Sequence, residues 1–439
     1  MAYFSANNNN LDLKEASASE LDLFEPPSTF TAVQKIYYVD TRPTSQITTG
    51  SSPVEFNISG QGIDYIDLKR SKLHVKAKIV KADGTALDVD EHVAPVNNWL
   101  HSLWSQMDVT LNGKLITSST SLYPYKSYLK TLLDQVEGQG SYLQSQLYYF
   151  DTAEGINSAD PVTGIIPGLS KRGAISAESK LVDMEGPLYE DFMNSQRYLL
   201  NGVNLQLKLY PSSNPFSILS DVSQANYKVK VEDIYLRICK IRPNTSLIAS
   251  HAKTLEATTA KYPFTQSDIK VSSIPKGQLS FTWDQIFQNK CPNKVIVALV
   301  SAQAMNGDYK KNPYNFERFA LSTIALYVDG ESLPSQPLRI SDTEYITAYN
   351  NLFEGRRTPQ GLSIGREAFN NGYAIYQFCL ESNNKNEGAN QIDLIKRGNL
   401  RLELHFAKGL PETVNCLVYS EDNVLLEVDQ SRNIIFNTV

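Results

Sequence analysis

The chain has 439 residues, 41% of them hydrophobic, enough to bury a large core and, on length alone, to make two or three domains. A charged fraction of 20% and a formal net charge of −6 give no overall electrostatic reason to bind nucleic acid, which needs a clustered basic face. The four cysteines (Cys239, Cys291, Cys379 and Cys416) form no Cys-x-x-Cys pair and no zinc-ligand cluster, which predicts buried, reduced thiols in a protein made inside a cell.

The N-terminus, Met-Ala-Tyr-Phe-Ser followed by four asparagines, has neither the basic nor the apolar region of a signal peptide, and no apolar run reaches the length of a membrane span. The chain is therefore expected to be synthesised inside the cell, not secreted through a signal peptide and not inserted in a membrane. Residues 1–30 are polar and acidic, with Asp12, Glu15, Glu20, Asp22 and Glu25 against Lys14, and Pro26-Pro27 near their end. This composition predicts a flexible N-terminal arm. Within it Leu21-Asp22-Leu23-Phe24 is either a motif that docks on a partner surface or a first strand laid on the sheet.

Strand signals dominate the chain beyond the arm. Leu73–Ile79 alternates apolar and polar residues with period two, as do Asn204–Leu209, Tyr227–Val231 and Leu400–Leu404. Asn112-Gly113 and Asp329-Gly330 sit between apolar runs, the mark of a tight hairpin. One helical pattern runs from Ser121 to Val136, with Leu122, Tyr125, Leu129, Leu132, Leu133 and Val136 on one face.

The order of these elements repeats. Val54–Ile58, the Asn112-Gly113 hairpin, the helix, Asn204–Leu209 and Tyr227–Ile238 are succeeded in the same order by Leu279–Trp283, the Asp329-Gly330 hairpin, a helix-like stretch at Thr343–Phe353, Leu400–Phe406 and Val414–Val428. A repeat this long means a duplicated domain rather than a solenoid. The fold class is all-β: a double jelly roll of two tandem eight-stranded β-sandwiches with a few short helices. The boundaries are an arm at 1–30, an N-terminal jelly roll at 31–245, a linker at 246–262 and a C-terminal jelly roll at 263–439. The loops 151–183 and 354–371 are the largest excursions of the two halves.

Several words of the sequence, taken as a set, resemble the major capsid proteins of Polinton-type (Maverick or adintovirus-like) DNA elements. They are Glu20–Phe24 with Pro26-Pro27, Pro53–Gly60, Asp64–Leu68, Leu73–Lys78, Val96–Leu100 leading to Val109–Gly113, and Asn312–Phe316. The resemblance spans roughly residues 20 to 430. It implies a homotrimer forming a pseudo-hexagonal capsomer, a shell lattice with penton and minor capsid proteins, and double-stranded DNA packaged without sequence-specific contact. It also implies a location in the virion capsid. The chain is short for such a protein and ends soon after its last apparent strand, which predicts low tower loops and no large C-terminal piece for a maturation protease. A lectin-like two-domain binding protein and a domesticated host copy of a capsid gene are the alternatives.

No catalytic, cofactor-binding or metal-binding residue is nominated. Ser127-x-x-Lys130 has the spacing of a nucleophile and base but lies on the helical pattern, where chance supplies such pairs. Gly60-Gln-Gly62 comes after a strand without a helix behind it, so it reads as a turn and not a phosphate cradle. His74, His92, His101, His251 and His405 are dispersed, where a cupin-type enzyme needs them to converge. Trp99 and Trp104 are either a sugar-stacking platform or, more simply, core or a subunit contact. The 24 tyrosines suit a subunit that tiles against copies of itself, and they also suit strands.

Overall fold

In the computed structural model the described residues are 30–44, 52–134, 140–152, 154–162, 164, 166–354, 362–380 and 396–436. The first half supplies ten strands: β1 (Val33–Thr41), β2 (Val54–Ile58), β3 (Tyr65–Lys81), β4 (Val93–Pro95), β5 (Trp104–Leu111), β6 (Lys114–Leu115), β7 (Val182–Pro187), β8 (Leu205–Pro211), β9 (Ile218–Ser220) and β10 (Tyr227–Pro243). The second half supplies β11 (Ala260–Ile274), β12 (Ser280–Trp283), β13 (Lys294–Ser301), β14 (Leu321–Val328), β15 (Glu331–Arg339), β16 (Ile375–Cys379), β17 (Leu400–Phe406), β18 (Val414–Val428) and β19 (Ile434–Phe436).

Strand pairing shows the duplication directly. The first half builds sheets in the order β1-β10-β3-β7 and β2-β8-β5-β6, and the second builds β11-β18-β13-β16 and β12-β17-β14-β15. Each strand of these four sheets therefore has a counterpart in the same place, and each half is a two-sheet jelly roll. The small β4-β9 pair and β19, added beside β18, are the departures from the shared plan.

Local sequence explains the ladders. Leu73, Val75, Ala77 and Ile79 of β3 are fully buried while Lys76 and Lys78 reach outward, the period-two pattern of a sheet with one wet face. Strand β13 is apolar without a break from Val295 to Val300, because it is central in its sheet and covered on both faces. The two hairpins share one geometry. Asn112 and Gly113 have φ of 45° and 82°, Asp329 and Gly330 of 50° and 91°, the left-handed pair that a type I′ turn needs. Leu111 then faces Lys114, and Val328 faces Glu331.

The helical pattern is a helix at Tyr123–Leu133, closed against the core by Leu129, Leu132 and Leu133. Thr343–Phe353 contains the short helix Ile346–Asn351 in the equivalent place. Between the rolls, the segment read as a linker carries a helix, Thr245–Leu255, and its last residues already belong to β11, which starts at Ala260. The Asn244 side chain caps that helix by accepting from Ser246 N–H. The 151–183 excursion is folded back rather than open. Its helix Pro167–Ser176 buries Arg172, whose guanidinium grips both oxygens of Asp151 at 3.1 Å and donates to Pro95 O at 3.1 Å. The motif Leu21–Phe24, the rest of the arm before Phe30, and residues 355–361 of the second excursion lie outside the described residues. Among the described residues no helix is long and apolar enough to cross a membrane.

Candidate assembly interface

The two rolls are fused by aromatic side chains. Tyr314, just before β14, stacks on Tyr128 of the Tyr123–Leu133 helix with ring centroids 4.0 Å apart and planes 6° from parallel. Tyr125 and Phe216 meet the same ring edge-on. The Tyr314 hydroxyl pairs with Ser102 Oγ at 2.6 Å, so the one polar atom of the ring is satisfied inside the seam. Further along, Tyr373 stacks on Phe150 at 4.9 Å and donates to Asp151 O at 2.7 Å, and Asn312 Nδ2 donates to Ile156 O at 2.8 Å. Burial raises the phenol pKa of Tyr128 and Tyr373 well above the ordinary value, so both remain neutral donors. Among the described residues twelve tyrosines are buried in the chain itself. Much of the tyrosine that composition assigned to contacts between subunits therefore works inside one subunit.

An ionic cluster locks the same seam. Lys126 Nζ lies 2.7 Å from Glu190 and 2.9 Å from Asp191, Lys130 also pairs with Asp191, and all four side chains are nearly dry. Asp191 reaches across to the second roll, accepting from Ser267 N–H at 2.8 Å and Ser267 Oγ–H at 2.7 Å. Burial alone would push the Asp191 carboxyl up, but Lys126 and Lys130 beside it bring it down to about 2. Burial raises Glu190, the adjacent Asp191 charge adds to that, and Lys126 offsets only part of it. The seam thus fixes how one roll sits against the other.

Surfaces left open by this fusion are the candidates for contact with other chains. Among the described residues strand β1 is an edge strand of nine residues with none buried, and it exposes Ile36 (46%) and Tyr38 (51%). Edge strand β15 of the second roll has a single buried residue, Leu338, and exposes Leu333. Unpaired backbone and exposed apolar side chains on a long edge are features that soluble monomers usually suppress.

Each chemical candidate of the sequence has a definite place in the fold. Ser127 Oγ donates to Pro124 O at 2.9 Å while Lys130 is held by Asp191, so the pair is structural. Trp99 and Trp104 are core residues, 0% and 2% exposed, which excludes a sugar platform. Gly60 sits against the next turn so closely that a Cβ would lie 2.2 Å from Val203 O. His101 is buried against Tyr123 Oη at 2.9 Å, and burial brings its pKa down to about 3. His74 pairs with Asp183, and His251 contacts Tyr65 Oη at 3.0 Å. His92 stands within 3.3 Å of both Asp160 and Asp221, a grouping that the wide sequence separation concealed. Asp160 Oδ1 also caps Val162 N–H.

No family model matches the sequence. An uncharacterised protein of Caenorhabditis elegans, F54H12.2, is 25% identical over 405 residues, covering 88% of this chain and 94% of its own. Among solved structures, the chain of the Sputnik virophage cryo-EM structure superposes with a TM-score of 0.63 at 12% identity, covering 99% of this chain and 95% of that one. The Faustovirus major capsid protein gives 0.60 at 9% identity, with 92% of each chain covered. The mavirus major capsid protein gives 0.55 at 12% identity, covering 98% of this chain and 97% of that one. The fold is that of double jelly-roll capsid proteins.

Proposed function

We propose that this chain is the major capsid protein of a Polinton-type DNA virus or element, a structural subunit with no enzymatic role. The observation that carries the reading is the pair of jelly rolls with identical strand order, fused side by side through a dry aromatic and ionic seam. Two similar rolls per chain give three chains a six-sided outline, so a cyclic trimer tiles a hexagonal lattice without six identical subunits. The full-length match to viral capsid folds and the sequence words shared with Polinton proteins support the same reading. The exposed edges β1 and β15 are the surfaces offered to neighbouring copies. Smaller contacts between trimers, each weak, gain strength by repetition across a shell. Penton and minor proteins and packaged double-stranded DNA complete the assembly.

A relative in a nematode favours a second version of this function, a capsid gene resident in an animal genome. The same subunit chemistry serves an active element and a domesticated copy. The test is the mass of the purified protein by light scattering, with negative-stain images of the same fraction. A species near three times 49.1 kDa with a hexagonal outline is expected. A monomer at every concentration, with no shells on adding salt or crowding agent, would overturn the proposal.

A further inference from the structure

A cavity of about 440 Å³ opens at one end of the seam, between the start of β3, the 196–200 segment, the Thr245–Leu255 helix and the start of β11. Tyr65, Leu200, Leu255 and Tyr262 give it an apolar lining, and Arg197 and Lys261 stand at its rim. Arg197 donates to Lys261 O, and the nearby Arg432 to Asn201 O. Their positive charge is thus anchored at backbone oxygens. On the helix that forms one wall, Leu247, Ile248 and Leu255 are only half-buried.

The described chain begins beside this cavity. Val33 pairs with Pro243 at the end of β10, and Tyr65 pairs with Ile241 on the other side of the same strand end. Two strand spacings separate these flanks, about 10 Å. Asn244, the cap of the wall helix, donates its own N–H to Ala32 O at 2.9 Å. From Phe24 to Phe30 an extended chain reaches about 20 Å, and seven residues of helix from Asn244 to His251 rise only about 10 Å. The Leu21–Phe24 motif is thus tethered within reach of a cavity lined by apolar groups and rimmed by bases. The motif carries the apolar Leu21, Leu23 and Phe24 around Asp22 and is flanked by Glu20 and Glu25.

We infer that the acidic arm docks on its own chain, with Leu23 and Phe24 entering this cavity and Asp22 and Glu25 facing Arg197 and Lys261. The occupant is the chain's own residues 20–25 because the described residues begin beside the cavity, the intervening chain can span the distance and the charges are complementary. Occupancy covers the Thr245–Leu255 wall and braces the end of the seam. The inference is independent of the capsid reading, since the isolated chain either closes this contact or does not.

The test is disulfide trapping in the full-length protein carrying Phe24→Cys and Thr258→Cys, Thr258 being an exposed residue of the cavity wall. Mild oxidation at low protein concentration precedes mass spectrometry of the unreduced protein. An intrachain bridge is expected in about tenfold excess over a control carrying Phe24→Cys and Glu331→Cys, because docking raises the local concentration well beyond that of a loose tether. Adding Arg197→Glu and Lys261→Glu should reduce the yield several-fold by charge repulsion. Hydrogen exchange at residues 251–262, slower in the unmodified protein than in a Phe24→Asp variant, reads the same contact without cysteines. Equal bridging to Thr258→Cys and Glu331→Cys, a bridge found between chains, or exchange unaffected by Phe24→Asp would each overturn the inference.

Discussion

Replacing Asp191 with asparagine tests the claim that an ionic cluster holds the two rolls in one arrangement. The asparagine keeps the shape and one acceptor oxygen for Ser267, but it removes the charge that faces Lys126 and Lys130. Asp191 lies at about 2 in the fold against an ordinary 3.8. At 1.36 kcal/mol per pH unit, this difference makes its ionised form worth about 2 kcal/mol to the native state. Leaving a buried lysine under-paired makes the total cost at neutral pH about 3 kcal/mol. With an unfolding entropy of roughly 2 cal/mol/K per residue, that is a fall in Tm of about 3 °C.

The pH dependence is the sharper readout. A carboxyl whose folded pKa is depressed contributes stability above its unfolded value and loses it as pH falls toward the folded one. The unmodified protein should therefore lose Tm faster than Asp191→Asn between about pH 5 and pH 2, so that the two curves converge in acid. Glu190, raised by burial, works in the opposite sense, and without its charged neighbour its own pKa should fall, trimming the difference. Thermal unfolding monitored by circular dichroism across this range decides the matter. Parallel curves, with a constant gap from pH 7 to pH 2, would refute the argument that charge rather than packing makes Asp191 matter.

Truncating Tyr314 to alanine should cost about 3–5 kcal/mol in urea unfolding by emptying the seam between the rolls, whereas Tyr314→Phe should lose only about 1 kcal/mol with the Ser102 hydrogen bond. Equal losses would mean that the hydroxyl, not the ring, holds the junction. Ile36→Asp combined with Tyr38→Asp places charge on the open β1 edge; the light-scattering mass should fall from trimer to single chain while the far-ultraviolet spectrum stays unchanged, and a persisting trimer would move the contact elsewhere. A thiol reagent should label Cys379 first, since Cys239, Cys291 and Cys416 are buried and burial pushes the Cys416 thiol up to about 12. Rapid labelling of three or four thiols in the native protein would contradict the packing of these cores.

The sequence by itself determined what depends on near neighbours. Period-two alternation placed β3, β8, β10 and β17, two Asn-Gly and Asp-Gly turns placed the hairpins, and the repeated order of these signals exposed the duplication. It also set Ser127 and Lys130 aside, because they fall on a helical pattern where such a spacing arises by chance. Composition left the tyrosines open, since residue type says that a ring seeks a surface to cover but not whether that surface belongs to the same chain. The helix at Thr245–Leu255 was hidden because its stretch, coming just after Pro243 and poor in large apolar groups, reads as a linker. The seam and the Asp191–Ser267 bridge join residues far apart in sequence. Only the tertiary structure could decide them, because long-range contacts are fixed by how two finished sandwiches fit together and not by any pattern along the chain.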